Sequence, residues 1–143
     1  MTPRRRSYRK PWERIVDSKV EEVFLAVSRR LGSKKRWCSN RAAMNKDFFG
    51  VAWSDPDACR WCLTSAIFLE FKKEGIGLDG EVWKNIAYKA DNVIEDMITE
   101  GTLPPLVIPS GARAAMTYIN DKCGYYAVQE FIDRVLNYEE VSE

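Results

Sequence analysis

Cys59 and Cys62 stand as Cys-Arg-Trp-Cys inside WSDPDACRWCLTSA, residues 53–66. That spacing suits a redox dithiol, half of a zinc site, or two small apolar packing residues. A redox pair needs its first sulfur at a helix N-terminus, where free N–H groups and the macrodipole favour the thiolate. Asp55 and Pro56 read as a cap and a first helical position, which predicts a helix from Pro56 and puts Cys59 about a turn inside it. Asp55 and Asp57 add negative charge at that end, and no strand precedes the pair as a thioredoxin-like unit requires. For zinc, the chain offers four cysteines (Cys38, Cys59, Cys62 and Cys123) and no histidine. A tetrahedral site would take all four or borrow a carboxylate, whereas structural sites usually come as two close pairs on turns. The expectation is that Cys59 and Cys62 pack in a central helix, with no metal and no cofactor.

The lack of histidine also removes Ser-His-Asp and Cys-His catalysis. There is no Walker loop and no GxGxxG. Carboxylate chemistry, or chemistry at Cys62, stays open, but no pair of acids stands out from solvated helix faces. No catalytic residue is assigned.

The elements that would position these residues read as helices. Ser18 and Glu21 form a capping box, and Val20, Val23, Phe24, Val27 and Leu31 draw one apolar stripe up to Gly32. Residues 33–54 show no helical stripe, and an irregular hairpin-like insertion is expected at 38–54, turning near Asn45–Asp47 or Gly50. In the helix from Pro56, only the Asp57–Arg60–Thr64 side is polar, which predicts burial on several sides. Asp79 caps a third helix running to about Glu100, with Val82, Ile86, Ala90, Val93, Ile94 and Met97 inward. Residues 102–111, rich in proline, form an extended connection. Ser110 opens a short helix carrying Ala112, Ala115, Met116 and Ile119. After Gly124 a last helix carries Val128, Phe131, Ile132, Val135 and Leu136. The fold expected is all-α: about five helices around a central buried helix, plus the insertion.

A chain of 143 residues with 45% hydrophobic and 30% charged residues fits one globular domain and needs no disulfide staples. No apolar run approaches a membrane span, and the start MTPRRRSYRKPWER lacks the apolar stretch of a secretory signal. A cytoplasmic protein with reduced thiols and no membrane partner is expected. Residues 1–41 hold 13 Lys/Arg against 4 Asp/Glu, and the rest hold 9 against 17. Residues 1–16 are read as a basic flexible arm and 17–143 as a single helical domain. A basic arm on an acidic body seeks phosphates or folds onto itself.

The order of an amphipathic helix, a Trp37 segment, DPDACRWCLTSAIFLE, a further helix and YINDKCGYYAVQEFIDRVL resembles a small bacterial and phage family known as a domain of unknown function. The likeness spans about residues 19–138 and rests on Trp37, Trp61, Cys62, Asn120, Asp121 and Gly124. Ile119 stands where that family tends to have Trp, and Tyr125–Tyr126 where it has a capping Thr. The resemblance therefore implies that Asp121 caps the last helix. It implies a fold rather than an activity.

Three readings of function compete. In the first, the protein is a non-enzymatic binding module, phage- or mobile-element-borne, that holds a partner protein or small ligand. Its ligand residues would be Trp37, Trp53, Arg60, Trp61, Asn120 and Asp121, an amide–carboxylate pair edged by indoles. The bland alternative makes Asn120–Asp121 a helix junction and the tryptophans core. In the second, the protein is associated with nucleic acid through Arg4, Arg5, Arg6, Arg9 and Lys10. The third is a small enzyme using carboxylates or Cys62.

Overall fold

The computed structural model describes residues 11–78, 80–104 and 111–138. The chain is mainly helical, with one small antiparallel sheet. Helix α1 spans Pro11–Arg30. A 3-10 turn, Lys34–Arg36, follows. Strands β1 (Ala43–Met44), β2 (Gly50–Val51) and β3 (Arg60–Trp61) come next. Then come α2 (Leu63–Glu74), α3 (Glu81–Thr99) and α4 (Ala112–Tyr118). A π turn at Ile119–Cys123 leads into α5 (Tyr125–Leu136).

The apolar stripe of α1 holds: Val20, Val23, Phe24, Val27 and Leu31 are buried. The helix starts earlier than its capping-box reading. Residues 11–16, expected in the arm, are helical, and Ser18 sits in mid-helix with no cap to make. Pro11 suits a first helical position because it has no N–H to leave unpaired. The C-terminus of α1 is closed from outside, where the Arg36 guanidinium donates to the carbonyls of Arg30 at 2.7 Å and Arg29 at 2.9 Å.

The hairpin falls where the sequence puts it. β1 pairs β2 with Ala43 opposite Val51 and Met44 opposite Gly50. The third strand is a correction. Residues 56–62, expected to open a helix, instead form a turn and then β3, which pairs the other edge of β1. Asp55 Oδ1 accepts from Asp57 N at 2.8 Å and Asp55 O from Ala58 N at 3.0 Å, so Asp55 closes a turn rather than capping a helix. Cys59 N then donates to Met44 O and Cys62 N to Ala42 O, and these ladder bonds override the local helical pattern.

Helix α2 consequently starts at Leu63 and is shorter than expected, yet eight of its twelve residues are buried. α1 packs against α2, α3 and α5, and α3 against α4 and α5. The core joins Phe24, Ile67, Phe71, Ile86, Met97, Met116 and Phe131 across all five helices. The expected caps Asp79 and Ser110 lie outside the described residues, as do the arm residues Arg4, Arg5, Arg6, Arg9 and Lys10. No described helix is long and apolar enough to cross a membrane.

Candidate functional site

The insertion is held to the helices through Asn120. This side chain is 1% exposed and sits in the π turn between α4 and α5. Its Oδ1 accepts from Trp37 Nε1 at 2.7 Å and from Leu63 N at 3.0 Å. Its Nδ2 donates to Cys38 O at 3.0 Å and to Asp121 Oδ1 at 2.9 Å. The same Asp121 oxygen accepts from Asn40 N at 2.8 Å. Asn120 and Asp121 therefore bind the protein's own insertion. Asp121 does not cap α5: the N-cap is Gly124, at φ 93° and ψ 178°, which makes no side-chain cap bond. A residue with a Cβ is strained in that conformation, so glycine suits the chain reversal that opens α5.

Of the four cysteines, Cys62 sits at the N-cap of α2, buried, and its Sγ accepts from Ser65 N at 3.4 Å. Its sulfur also lies 3.2 Å from Ser65 Oγ and 3.4 Å from Thr64 Oγ1. Cys59 precedes the helix and is exposed. The expected burial holds for Cys62, whose place is the helix end rather than its interior; for Cys59 both the burial and the helical position are corrected. Cys62 takes the helix end because β3 delays the helix, and Cys59 points outward from the turn side of that strand. Burial pushes the Cys38 thiol up to about 12, helped by the nearby Cys62 and Asp121. At neutral pH Cys38 is a thiol, not a nucleophile. No group of three or more His, Cys, Asp or Glu among the described residues is placed to hold a metal.

The expected ligand residues are only partly gathered. Trp37 and Arg60 line an open groove of about 540 Å³ together with Lys34, Lys35, Cys38, Ser39, Arg41, Met44 and Phe48. Trp53 lies elsewhere, in the turn after β2, packed against α2 with its ring 6.2 Å from Phe68 and Lys72 Nζ 5.9 Å over it. Trp61 is covered by the Arg30 guanidinium at 4.6 Å, which in turn pairs with Glu70 at 2.9 Å.

The groove has two aromatic walls. The Trp37 indole is fixed by its N–H bond to Asn120 and by an edge contact with Tyr125 at 5.7 Å. Phe48 has the Arg60 guanidinium 4.5 Å over its ring and remains 60% exposed. Phe48 also has φ 65°. The Asn45–Phe49 turn needs one left-handed residue to close, a place usually given to glycine or asparagine. Asn45 braces the turn by accepting from the Asp47 and Phe49 amides. A bulky side chain there is strained, and it stands where it lines the groove.

Four cations ring these walls. Lys34, Lys35, Arg41 and Arg60 form no ion pair with a described residue, and no described carboxylate lines the groove. Arg60 Nε is buried without a hydrogen-bond partner. Phe48 and the lysines escaped the sequence reading. The available signal was a Lys-Lys-Arg run beside Trp37, with an aromatic at the hairpin tip.

A second polar cluster was missed too. Asp17 on α1 meets Lys89 at 3.3 Å and Asn85 Nδ2 at 2.6 Å on α3, all three being buried. It borders a cavity of about 300 Å³ lined also by Arg14, Ser18, Glu21 and Tyr138. The α1 stripe extended backwards lands on Asp17 and Glu13, a polar interruption of an apolar face visible in the sequence.

No protein family, curated protein or solved structure matches this chain.

Proposed function

We propose that this chain is a non-enzymatic binding module that holds an anionic partner in the insertion groove. The observation that carries the reading is the ring of four cations, none in an ion pair with a described residue, around Trp37 and Phe48. Cations gathered without counter-charge repel one another, so an arrangement of this kind favours an external anion. Two features support a module without catalysis. The chain has no histidine, and the groove's one thiol, Cys38, is pushed up to about 12.

This shifts the weight from the arm to the insertion. An acidic body repels phosphates, and residues 42–143 hold 17 Asp/Glu against 9 Lys/Arg, but no described carboxylate lines this groove. The test is retention of the full chain on an immobilised polyanion. The Lys34→Gln, Lys35→Gln, Arg41→Gln variant is expected to elute at clearly lower salt than the parent. Co-elution of the two would overturn the reading.

A further inference from the structure

We infer that the anion is a single-stranded nucleic acid, with bases stacked on Trp37 and Phe48 and phosphates on Lys34, Lys35 and Arg41. This rests on the proposed anion-binding role of the groove and names its ligand.

A site for phosphates or sulfates alone needs cations and no rings. Here the rings are costly features. Phe48 occupies a left-handed backbone position that an aromatic residue rarely adopts, and its ring is held at 4.5 Å by a guanidinium rather than packed in the core. Trp37 has its N–H tied inward to Asn120, which fixes the indole where it lines the groove. Rigid aromatic platforms beside cations are how proteins hold unpaired bases, because every base has a face to stack. A duplex hides those faces, so the groove discriminates by strandedness. The opposite wall is the Lys34–Arg36 turn, whose N-cap Ser33 accepts from Lys35 N. Lys34 and Lys35 line the groove with the indole, and Lys34 Nζ lies 5.8 Å over the Tyr126 ring.

Hairpin-tip phenylalanines beside lysines also suit an anionic membrane. The placement argues against it: Phe48 turns into the groove wall with Arg60, whereas a membrane anchor presents its rings outward. Phe49, 69% exposed and outside the groove lining, is the residue such an anchor would use.

The experiment is fluorescence anisotropy of the full chain with a labelled oligothymidylate of about 12 nucleotides, a length spanning known single-strand site sizes. Competitors are the matching duplex, inorganic polyphosphate and vesicles with anionic lipid. Single strand is expected to bind more tightly than duplex or polyphosphate. With the three phosphates on Lys34, Lys35 and Arg41 engaged, log affinity should fall with log salt at a slope of about −2. Phe48→Asn suits the left-handed turn and should keep the circular dichroism of the parent. It should weaken oligonucleotide binding by about fivefold or more, the loss of one stacked base, while leaving polyphosphate binding unchanged. Lys35→Gln with Arg41→Gln should flatten the slope by about 1.4.

Equal affinity for oligonucleotide and polyphosphate, unmoved by Phe48→Asn, overturns the nucleic-acid inference and leaves the anion groove standing. If no polyanion is held even at about 50 mM salt, where such contacts are strong, both readings fall. Binding to vesicles but not oligonucleotide, sensitive to Phe49→Ala, makes the partner a membrane. Binding abolished by removal of residues 1–10, and unmoved by the groove variants, assigns the nucleic acid to the arm instead.

Discussion

Asn120 donates twice and accepts twice, the full capacity of a primary amide. Nothing is left over for a ligand, so its importance is to stability. Asn120→Ala would strand Trp37 Nε1, Leu63 N and Cys38 O in a buried setting. A cost of about 3 kcal/mol or more is expected, read as a lowered urea midpoint. Cys38 carries a pH prediction. Its thiol is raised from 9.0 to about 12, burial being the first cause and the neighbouring Cys62 and Asp121 the next. The folded state therefore favours the protonated form more than the unfolded state does. That contribution is fully present below pH 9 and is lost as pH rises through 12. The melting temperature of the parent should fall more steeply across that window than that of Cys38→Ala. Parallel curves would contradict it. In the same protein, an alkylating reagent near neutral pH is expected to reach exposed Cys59 and to spare Cys38.

At the scale of elements, the junction of α4 and α5 decides how the insertion docks. The π turn pushes Asn120 and Asp121 toward residues 37–40, and Gly124 then reverses the chain at φ 93°. An added Cβ at Gly124 meets nothing within 4 Å, so any penalty is one of backbone conformation rather than crowding. Gly124→Ala should cost about 1–2 kcal/mol through that conformation alone. Asp121→Ala should act differently. It leaves the start of α5 unchanged and frees the Asn40 amide, which hydrogen exchange would report as local loss of protection in the 38–44 segment. Uniformly faster exchange along α5 would restore the capping role that the resemblance implied.

For the whole molecule, the buried Asp17–Lys89–Asn85 cluster locks α1 to α3. Lys89→Met would leave the Asp17 carboxylate buried without its cation, at an expected cost of about 3 kcal/mol or more by denaturation. Adding Asp17→Leu should recover most of that loss, because an apolar pair needs no desolvation compensation. If the double variant is no better than the single one, the cluster does more than pair charges. Pro11 and Arg30 are opposite ends of a 20-residue helix, about 30 Å apart, with the groove beyond Arg30.

The core helices were determined by the sequence itself, because their signal is periodic and local. Val20 to Leu31, Ile86 to Met97 and Val128 to Val135 repeat at helical spacing and are buried as that spacing requires. The hairpin was legible more coarsely: an absent stripe placed it in 38–54 with a turn near Asn45–Asp47 or Gly50, and the structure closes that turn at Asn45–Phe49. Tertiary structure alone decided the rest. Asp55-Pro56 is a sound helix start by local rules, yet β1 offers Cys59 and Cys62 ladder partners, and two long-range bonds outweigh a cap. Asn120 is an ordinary helix-terminating residue in the sequence, and only packing brings Trp37, Cys38 and Leu63, between 57 and 83 positions away, within its reach. The groove is of the same kind. Its cations and rings are separated along the chain, and they converge because a two-residue strand pairs on each side of β1.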